Sequence, residues 1–220
     1  MAEVVCLLLL AISAFFLGNA WRLAHSPLNE FLGQFARNSN RMLILMPVIG
    51  SDNLAGADAL QRGTSVRPNL SLEDTNIAVR IAGQLERHDA QYNLVSSSEI
   101  TIDELRTGPS VLIGALYNVW TMRLTQKLPF VFVETPDHRI GRIVDASSGG
   151  NRNWTVDIDV PHNRIAHDYG IVTRHTNQLT GEPTAIVAGI SSKGDTGSWR
   201  TADLAGIRVD PYHCGKRPQL

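Results

Sequence analysis

The amino-acid sequence predicts an α/β fold, because apolar runs of strand length alternate with segments of helical periodicity. The runs at residues 42–49 and 110–116 have the length and apolar character of strands that are buried in a parallel sheet, and residues 92–96 are expected to form another strand of it. Between the first two runs, apolar residues recur at helical spacing within residues 71–88. We therefore expect a mainly parallel, Rossmann-like sheet with helices on both faces.

Capping sequences predict where the helices begin. Ser71-Leu-Glu-Asp74 and Thr101-Ile-Asp-Glu104 share the form Ser/Thr-x-x-acid, in which hydroxyl and carboxylate groups bind backbone amides of the first turn. Asn118 follows the third apolar run and is suited to cap another helix, which would carry Trp120.

The last third of the chain predicts antiparallel additions to this sheet. Short strands are expected at residues 130–134, 139–146 and 154–160. The segments 168–176 and 184–190 flank a turn containing glycine and proline, and we expect them to pair as a hairpin with a long loop.

Composition and charge limit the function classes. The 220 residues are 43% hydrophobic and 19% charged, with a net charge of -1, which is typical of a globular domain. Basic residues are scattered, so we expect no nucleic acid partner. Cys6 and Cys214 have no zinc-type spacing. We therefore expect no metal and no cofactor.

The N-terminus has the composition of a membrane or export signal. Residues 4–17 are uncharged, and Ser13 is their one polar residue. With the following residues to Trp21, this stretch approaches the ~20 residues that span a bilayer. Gly18-Asn19-Ala20 has the small-x-small form of a signal-peptidase site. We expect a transmembrane anchor or a cleaved signal segment, and a buried core helix is the third alternative.

The sequence contains conflicting signals about the side of the membrane on which the domain lies. Arg22, Arg37 and Arg41 follow the apolar stretch and Glu3 precedes it, so the positive-inside rule places the domain in the cytoplasm. A start upstream of Met1 would account for the absent basic n-region. On that interpretation the domain is membrane-anchored and extracytoplasmic, which is the location we expect.

Four segments are expected along the chain. Residues 1–22 form the anchor or signal segment, and residues 23–40 form a connector. Residues 41–205 form the α/β domain. Residues 206–220 form an irregular tail, because neither strand alternation nor a helical period continues there.

Three sequence segments carry a resemblance to a known group of proteins. These are GPSVLIGALYNVWTMRLTQKLPFVF, DYGIVTRHTNQLTGEPTAIVAGIS and a Gly-Asp-Thr-Gly segment. Together they resemble an uncharacterised family of bacterial membrane-tethered α/β domains, over roughly residues 41–205. The resemblance implies a module that follows a transmembrane helix, and it implies no activity. Family members continue past the glycine-containing turn into a helix and a final strand, from which the irregular end here departs.

The first candidate site lies where the third predicted strand passes into a helix, at Gly114–Thr121. Ligands of open α/β sheets bind at the carboxyl edge of the strands, and helix amides there favour anions. Asn118, Trp120 and Thr121, with Tyr117 beside them, are therefore candidate ligand-binding residues. The alternative is that Asn118 is only a cap and Trp120 only a core residue.

The second candidate site is the glycine-containing turn at residues 191–197. Its backbone amides are suited to a carboxylate or phosphate, so Ser191, Lys193 and Thr196 are candidate ligand-binding residues. The turn has neither a Walker A loop nor a dinucleotide-binding fingerprint, and a plain surface turn is the alternative. If both candidate sites and Gly50–Asn53 meet at one sheet edge, we expect a polar basin for a small anionic ligand.

Two further groups of polar residues are better explained without a metal. The first group comprises His162, His167 and His175, with Asp168 beside them. The spacing of these residues is not one that metal ligands are known to have. Asp157 and Asp159 are expected on one face of a half-solvated strand, where they could also bind a cation.

Two function classes are compatible with these patterns. The first is a membrane-tethered or exported module that binds or senses a ligand without a catalytic site, because no nucleophile motif is present. The second is an enzyme that acts on a nucleotide or small anionic metabolite at the sheet edge. A purely structural or assembly role is the remaining alternative.

Overall fold

The computed structural model describes residues 2–24, 31–33, 41–48, 69–161, 164–191 and 208–213. In chain order its elements are α1 (Ala2–Ala24), β1 (Met42–Met46), α2 (Leu72–Glu86), β2 (Tyr92–Ser96), α3 (Ile102–Leu105), β3 (Ser110–Ile113), α4 (Val119–Leu124), β4 (Phe130–Glu134), β5 (Ile140–Asp145), a 3-10 turn (Ala146–Ser148), β6 (Asn153–Asp157), β7 (His167–Thr176), β8 (Pro183–Gly189) and β9 (Arg208–His213). Of the helices in these ranges, none is long and apolar enough to cross a membrane.

The fold is mixed α/β and contains two sheets. The larger sheet has the strand order β2-β1-β3-β8-β7-β9. Its neighbouring strands β2, β1, β3 and β8 run parallel. Strand β7 is antiparallel to β8, and β9 is antiparallel to β7. The predicted, mainly parallel sheet with antiparallel additions is confirmed, and so is the predicted hairpin.

The first departure from the sequence prediction concerns β4, β5 and β6. These strands do not extend the larger sheet but form a separate antiparallel sheet in the order β4-β5-β6. Buried residues of this small sheet, Phe132, Ile143 and Val156, belong to the same apolar cluster as Leu112 and Ile186 of the larger sheet. The small sheet therefore covers one face of the larger sheet.

The other face of the larger sheet is covered by α2. Ile77, Ile81 and Leu85 are buried there against residues of β1 and β3, such as Ile44 and Val111. Helices α3 and α4 contribute Leu105, Trp120 and Leu124 to the opposite cluster.

The predicted helix starts are confirmed by their caps. The Ser71 hydroxyl accepts a hydrogen bond from the Asp74 amide at 3.3 Å. Thr101 and Glu104 form a complete capping box at the start of α3. Asn118 caps α4.

Two of the parallel strands end earlier than predicted, and backbone chemistry explains both ends. Strand β1 ends at Met46 rather than residue 49, because Pro47 has no amide hydrogen for the ladder. Strand β3 ends at Ile113 rather than residue 116, because Gly114 turns the backbone with a φ of 76°.

The end of the chain also departs from prediction. Residues 208–213 form strand β9, which pairs with β7, whereas an irregular tail was expected from residue 206. The pairing partner of β9 is more than thirty residues away in the sequence, so no local pattern indicates it.

Candidate functional site

An open cleft lies at the carboxyl ends of the parallel strands. Its volume is about 290 Å³. Pro47 follows β1, Gly114 follows β3, and Ile190 and Ser191 follow β8, and all four residues line the cleft. The chain passes from β1 to β2 on one side and then to β3 on the other, so the cleft lies at the point where the strand order reverses. Ligands of open α/β sheets bind in this kind of crevice.

Gly114 shapes the cleft through its backbone. It has a φ of 76°, a left-handed conformation that glycine adopts without steric cost. A Cβ atom at this position would lie 2.9 Å from Cγ of Pro47. The absence of a side chain therefore lets the ends of β1 and β3 meet at the cleft.

We expect Gly114→Ala to lower the free energy of unfolding by about 2–3 kcal/mol, because it combines left-handed strain with the Pro47 contact. Gly181→Ala is the matched control, since Gly181 has a φ of 78° but no atom within 4 Å of the added Cβ. The control variant should lose only about 1–2 kcal/mol. Urea denaturation measures both, and equal losses would show that the Pro47 contact is unimportant.

The apolar wall of the cleft is shared between the two sheets. It comprises Leu116, Ile158, Val160, Ile165 and Ile190. Gly141 of β5 lies behind this wall, and a Cβ there would clash with Ile190 and lie 3.0 Å from Cδ1 of Leu116. The small sheet can approach the cleft because β5 carries a glycine at this position.

A buried carboxylate fixes Ser191 at the rim. Asp168, at the start of β7, is 1% exposed. One of its oxygens accepts hydrogen bonds from the amides of Tyr169 at 2.8 Å and Ser191 at 3.2 Å. Its other oxygen accepts a hydrogen bond from the Ser191 hydroxyl. The position of Ser191 is thus set by both its main chain and its side chain.

The start of α2 supplies further polar residues of the cleft. Ser71 and Asp74 line the cleft, and the Asp74 side chain is buried. The Ser71 hydroxyl donates to Oε2 of Glu73 at 3.0 Å while it accepts from the Asp74 amide. Two carboxylates therefore occupy the first turn of α2, where the helix dipole favours negative charge.

Tyr117 adds a phenol at the mouth of the cleft. Burial, and secondarily the charge of Glu134, raise the pKa of Tyr117 above its ordinary value. The phenol is protonated at neutral pH, as tyrosine ordinarily is, and can both donate and accept a hydrogen bond.

The structure separates the first set of predicted site residues from the cleft lining. Asn118 is fully buried and binds backbone groups through its amide oxygen and nitrogen. Trp120 is a core residue whose Nε1 donates to the Ile100 carbonyl at 3.2 Å. Thr121 is fully buried on the same helix. Asn118 is thus a helix cap and Trp120 a core residue, which is the alternative interpretation of both residues from the sequence.

The second predicted set is described only in part. Ser191 lines the cleft as expected at this sheet edge. Lys193 and Thr196, with Gly50–Asn53, lie outside the described residues.

The other predicted polar groups are also dispersed. Asp157 and Asp159 were predicted to share a strand face, but strand β6 ends at Asp157. The backbone amide of Asp159 donates instead to Oδ1 of Asp157. Asp159 forms an exposed ion pair with Arg139 at 2.9 Å. His175 lies on β7, where burial lowers its pKa, and His162 lies outside the described residues.

Sequence reasoning located the segments after β3 and β8, from which Gly114–Tyr117 and Ser191 line the cleft, and missed the rest of the lining. Pro47, Ser71 and Asp74 were interpreted as strand and cap residues, and Ile158 and Val160 as strand residues. The one signal that could have located the first three is the strand order, because it places the end of β1 and the start of α2 at the same edge.

Comparison with family models, curated proteins and solved structures finds no match to this chain.

Proposed function

We propose that this chain is a ligand-binding or sensory module that is tethered to a membrane, or exported, through its N-terminal segment. The observation that carries the proposal is the cleft of about 290 Å³ at the carboxyl edge of the sheet. Its volume is close to the lower end of the range for small-molecule sites, and its lining combines an apolar wall with a few polar groups.

A Rossmann-like assignment of the fold supports this location. Strand β1 lies between β2 and β3, so successive crossovers run to opposite sides of it. Helix α2 lies on one face, and α3 and α4 lie on the other. Doubly wound folds share both features and bind ligands where the strand order reverses.

The tether is supported by the surface of α1. Large apolar side chains on this 23-residue helix are exposed, among them Leu10, Phe15, Phe16 and Leu17. A continuous exposed apolar surface favours burial in a lipid or protein environment. We propose attachment to a membrane, with the cleft on the extracytoplasmic side, or processing during export.

The test begins with the full chain, which should fractionate with membranes or appear in processed form. Native mass spectrometry of the recovered protein, after incubation with a small-molecule extract of the expressing cells, should reveal a bound compound. Leu116→Trp, which places an indole in the apolar wall, should abolish the added mass because it fills the cleft.

Leu179→Trp is the matched control, since Leu179 is exposed in the β7–β8 loop and does not line the cleft. It should retain the compound, and thermal midpoints check that both variants are folded. Equal binding by both variants would contradict the cleft as the site, and an uncleaved chain recovered wholly in the soluble fraction would contradict the tether. Conversion of the bound compound would favour the alternative, an enzyme acting on a small metabolite.

A further inference from the structure

We propose that the cleft binds a small monoanionic carboxylate with an apolar body, and that the consecutive backbone amides of Ala115, Leu116 and Tyr117 hold its carboxylate group. This inference rests on the proposed ligand-binding function and names the class of ligand. It keeps the anionic class that the sequence predicts, but it assigns recognition to main-chain groups rather than to the predicted side chains of α4.

The backbone leaves the ladder of the larger sheet just after β3. The Gly114 amide still donates to the Val187 carbonyl of β8 at 3.1 Å. The next three amides, those of Ala115, Leu116 and Tyr117, have no acceptor in the described part of the chain. Three successive donors are therefore not used by the fold.

A turn holds these donors next to one another. The Ala115 carbonyl accepts from the Asn118 amide at 2.9 Å, which closes a four-residue turn. This bond does not use the amides of the two central residues, Leu116 and Tyr117. The turn is fixed to the end of β3, because the Asn118 side chain donates to the Ile113 carbonyl at 2.8 Å. Successive amides in a turn conformation form a concave site for an anion.

Burial indicates that a partner for these donors binds in the cleft. Ala115 is 4% exposed. Buried backbone amides almost always have a hydrogen-bond partner, which is another protein group, a water molecule or a ligand. Ala115, Leu116 and Tyr117 all line the cleft, and the cleft is an open space next to them. An acceptor that enters the cleft can therefore satisfy them.

The rest of the lining determines what surrounds the anionic group. Ile158, Val160 and Ile190 belong to the apolar wall. An apolar body that packs against this wall is removed from water, which favours binding. The phenol of Tyr117 adds a side-chain donor at the mouth of the cleft. The ligand that matches this lining has an acceptor group at one end and an apolar body.

The charge of the lining favours one negative charge over two. No Lys or Arg lines the cleft within the described residues, so no side chain there would balance a second charge. Asp74 also lines the cleft, and it has a further contact within the protein. The dipole of α2 offsets part of its charge, but its carboxylate repels a dianion more strongly than a monoanion. A carboxylate therefore fits better than a phosphate monoester, whose charge at neutral pH is about -1.5 to -2.

Three probes that share a phenyl ring test the proposal on the full chain. They are benzoate, benzyl alcohol and phenyl phosphate, with binding followed by NMR titration of the backbone amides. We expect benzoate to bind more tightly than phenyl phosphate, and at least about tenfold more tightly than benzyl alcohol, because hydrogen bonds to a charged acceptor are stronger. Benzoate should also move the amide proton resonances of Ala115, Leu116 and Tyr117 downfield, as expected of donors that gain an acceptor.

Leu116→Pro removes one of the three donors, and Leu116→Ala is its matched control. Both variants lose the leucine side chain, but only proline lacks the amide hydrogen. Proline is common at the second position of a turn, which is where Leu116 lies. We expect the proline variant to bind benzoate about tenfold more weakly than the alanine variant, and the two to bind benzyl alcohol within about threefold of each other.

The outcomes separate this inference from the proposed function. Benzyl alcohol or phenyl phosphate binding as tightly as benzoate would overturn the carboxylate class and leave the cleft as a ligand site. Equal benzoate binding by the two Leu116 variants would overturn the assignment to the amides. If Leu116→Pro does not fold, the shifts of the three amide protons in the unchanged chain decide that assignment alone. If none of the probes binds, this inference is wrong, and the bound compound in native mass spectrometry still decides the proposed function.

Discussion

Ile81→Asp is expected to unfold the α/β domain. Ile81 is fully buried in the cluster that joins α2 to the larger sheet, where it lies among Ile77, Leu85 and Ile44. Loss of its burial costs about 1.5–3 kcal/mol. The carboxylate that replaces it adds several kcal/mol for desolvation, because the apolar side chains of that cluster offer it no hydrogen bond. The sum is comparable to the total stability of a domain, about 5–15 kcal/mol.

Val79→Asp is the matched control on the same helix. Val79 is 65% exposed, so the same new charge remains in water there. We expect the control to change the free energy of unfolding by less than about 1 kcal/mol. Circular dichroism during urea denaturation measures both variants. If Ile81→Asp unfolds at the urea concentration of the parent, α2 does not pack on the sheet in the way described.

The parts of the fold that could be predicted from the sequence depend on local chemistry. Residues 92–96 have a strand pattern irrespective of their neighbours, and the bounds of β2 match the prediction. Caps at Ser71 and Thr101 are likewise set by residues within one helical turn.

The parts that could not be predicted depend on contacts between distant segments. The pattern of β5, in which partly buried and buried residues alternate, fits an edge of the larger sheet and a separate small sheet equally well. The tertiary position of Gly141, against Ile190 and Leu116, lets β5 pack behind the cleft, and no local pattern indicates that contact. The cleft lining could not be predicted for the same reason. The strand order brings Pro47, Asp74 and Ile158 together, and their spacing in the sequence does not indicate it.

Asn118 illustrates how one residue can satisfy a sequence pattern for two different reasons. An asparagine between a strand and a helix is common both in ligand sites and in helix caps. The distinction lies in its side-chain nitrogen, which donates to the carbonyl of Leu45 at 3.3 Å and to that of Ile113 at 2.8 Å. These bonds tie the end of β1 to the end of β3, and no sequence spacing indicates the Leu45 contact.

Asn118→Ala is therefore expected to lower the free energy of unfolding by about 3–7 kcal/mol. Its oxygen accepts from the amides of Trp120 and Thr121 at 3.1 and 3.2 Å, so the variant loses the cap of α4, which costs about 1 kcal/mol. It also leaves the Leu45 and Ile113 carbonyls without this partner in a buried site, at about 1–3 kcal/mol each.

Asn118→Asp separates the two roles of this side chain. Aspartate can accept from the amides of Trp120 and Thr121 and keep the cap, but a carboxylate cannot donate to the carbonyls of Leu45 and Ile113. We expect a loss at least as large as that of the alanine variant, because a buried negative charge would face two carbonyl oxygens. Thr101→Ala, at the exposed cap of α3, is the comparison and should cost only about 1 kcal/mol. If Asn118→Asp instead retains the stability of the parent, Asn118 acts as a cap alone, and the ends of β1 and β3 at the cleft are held by other contacts.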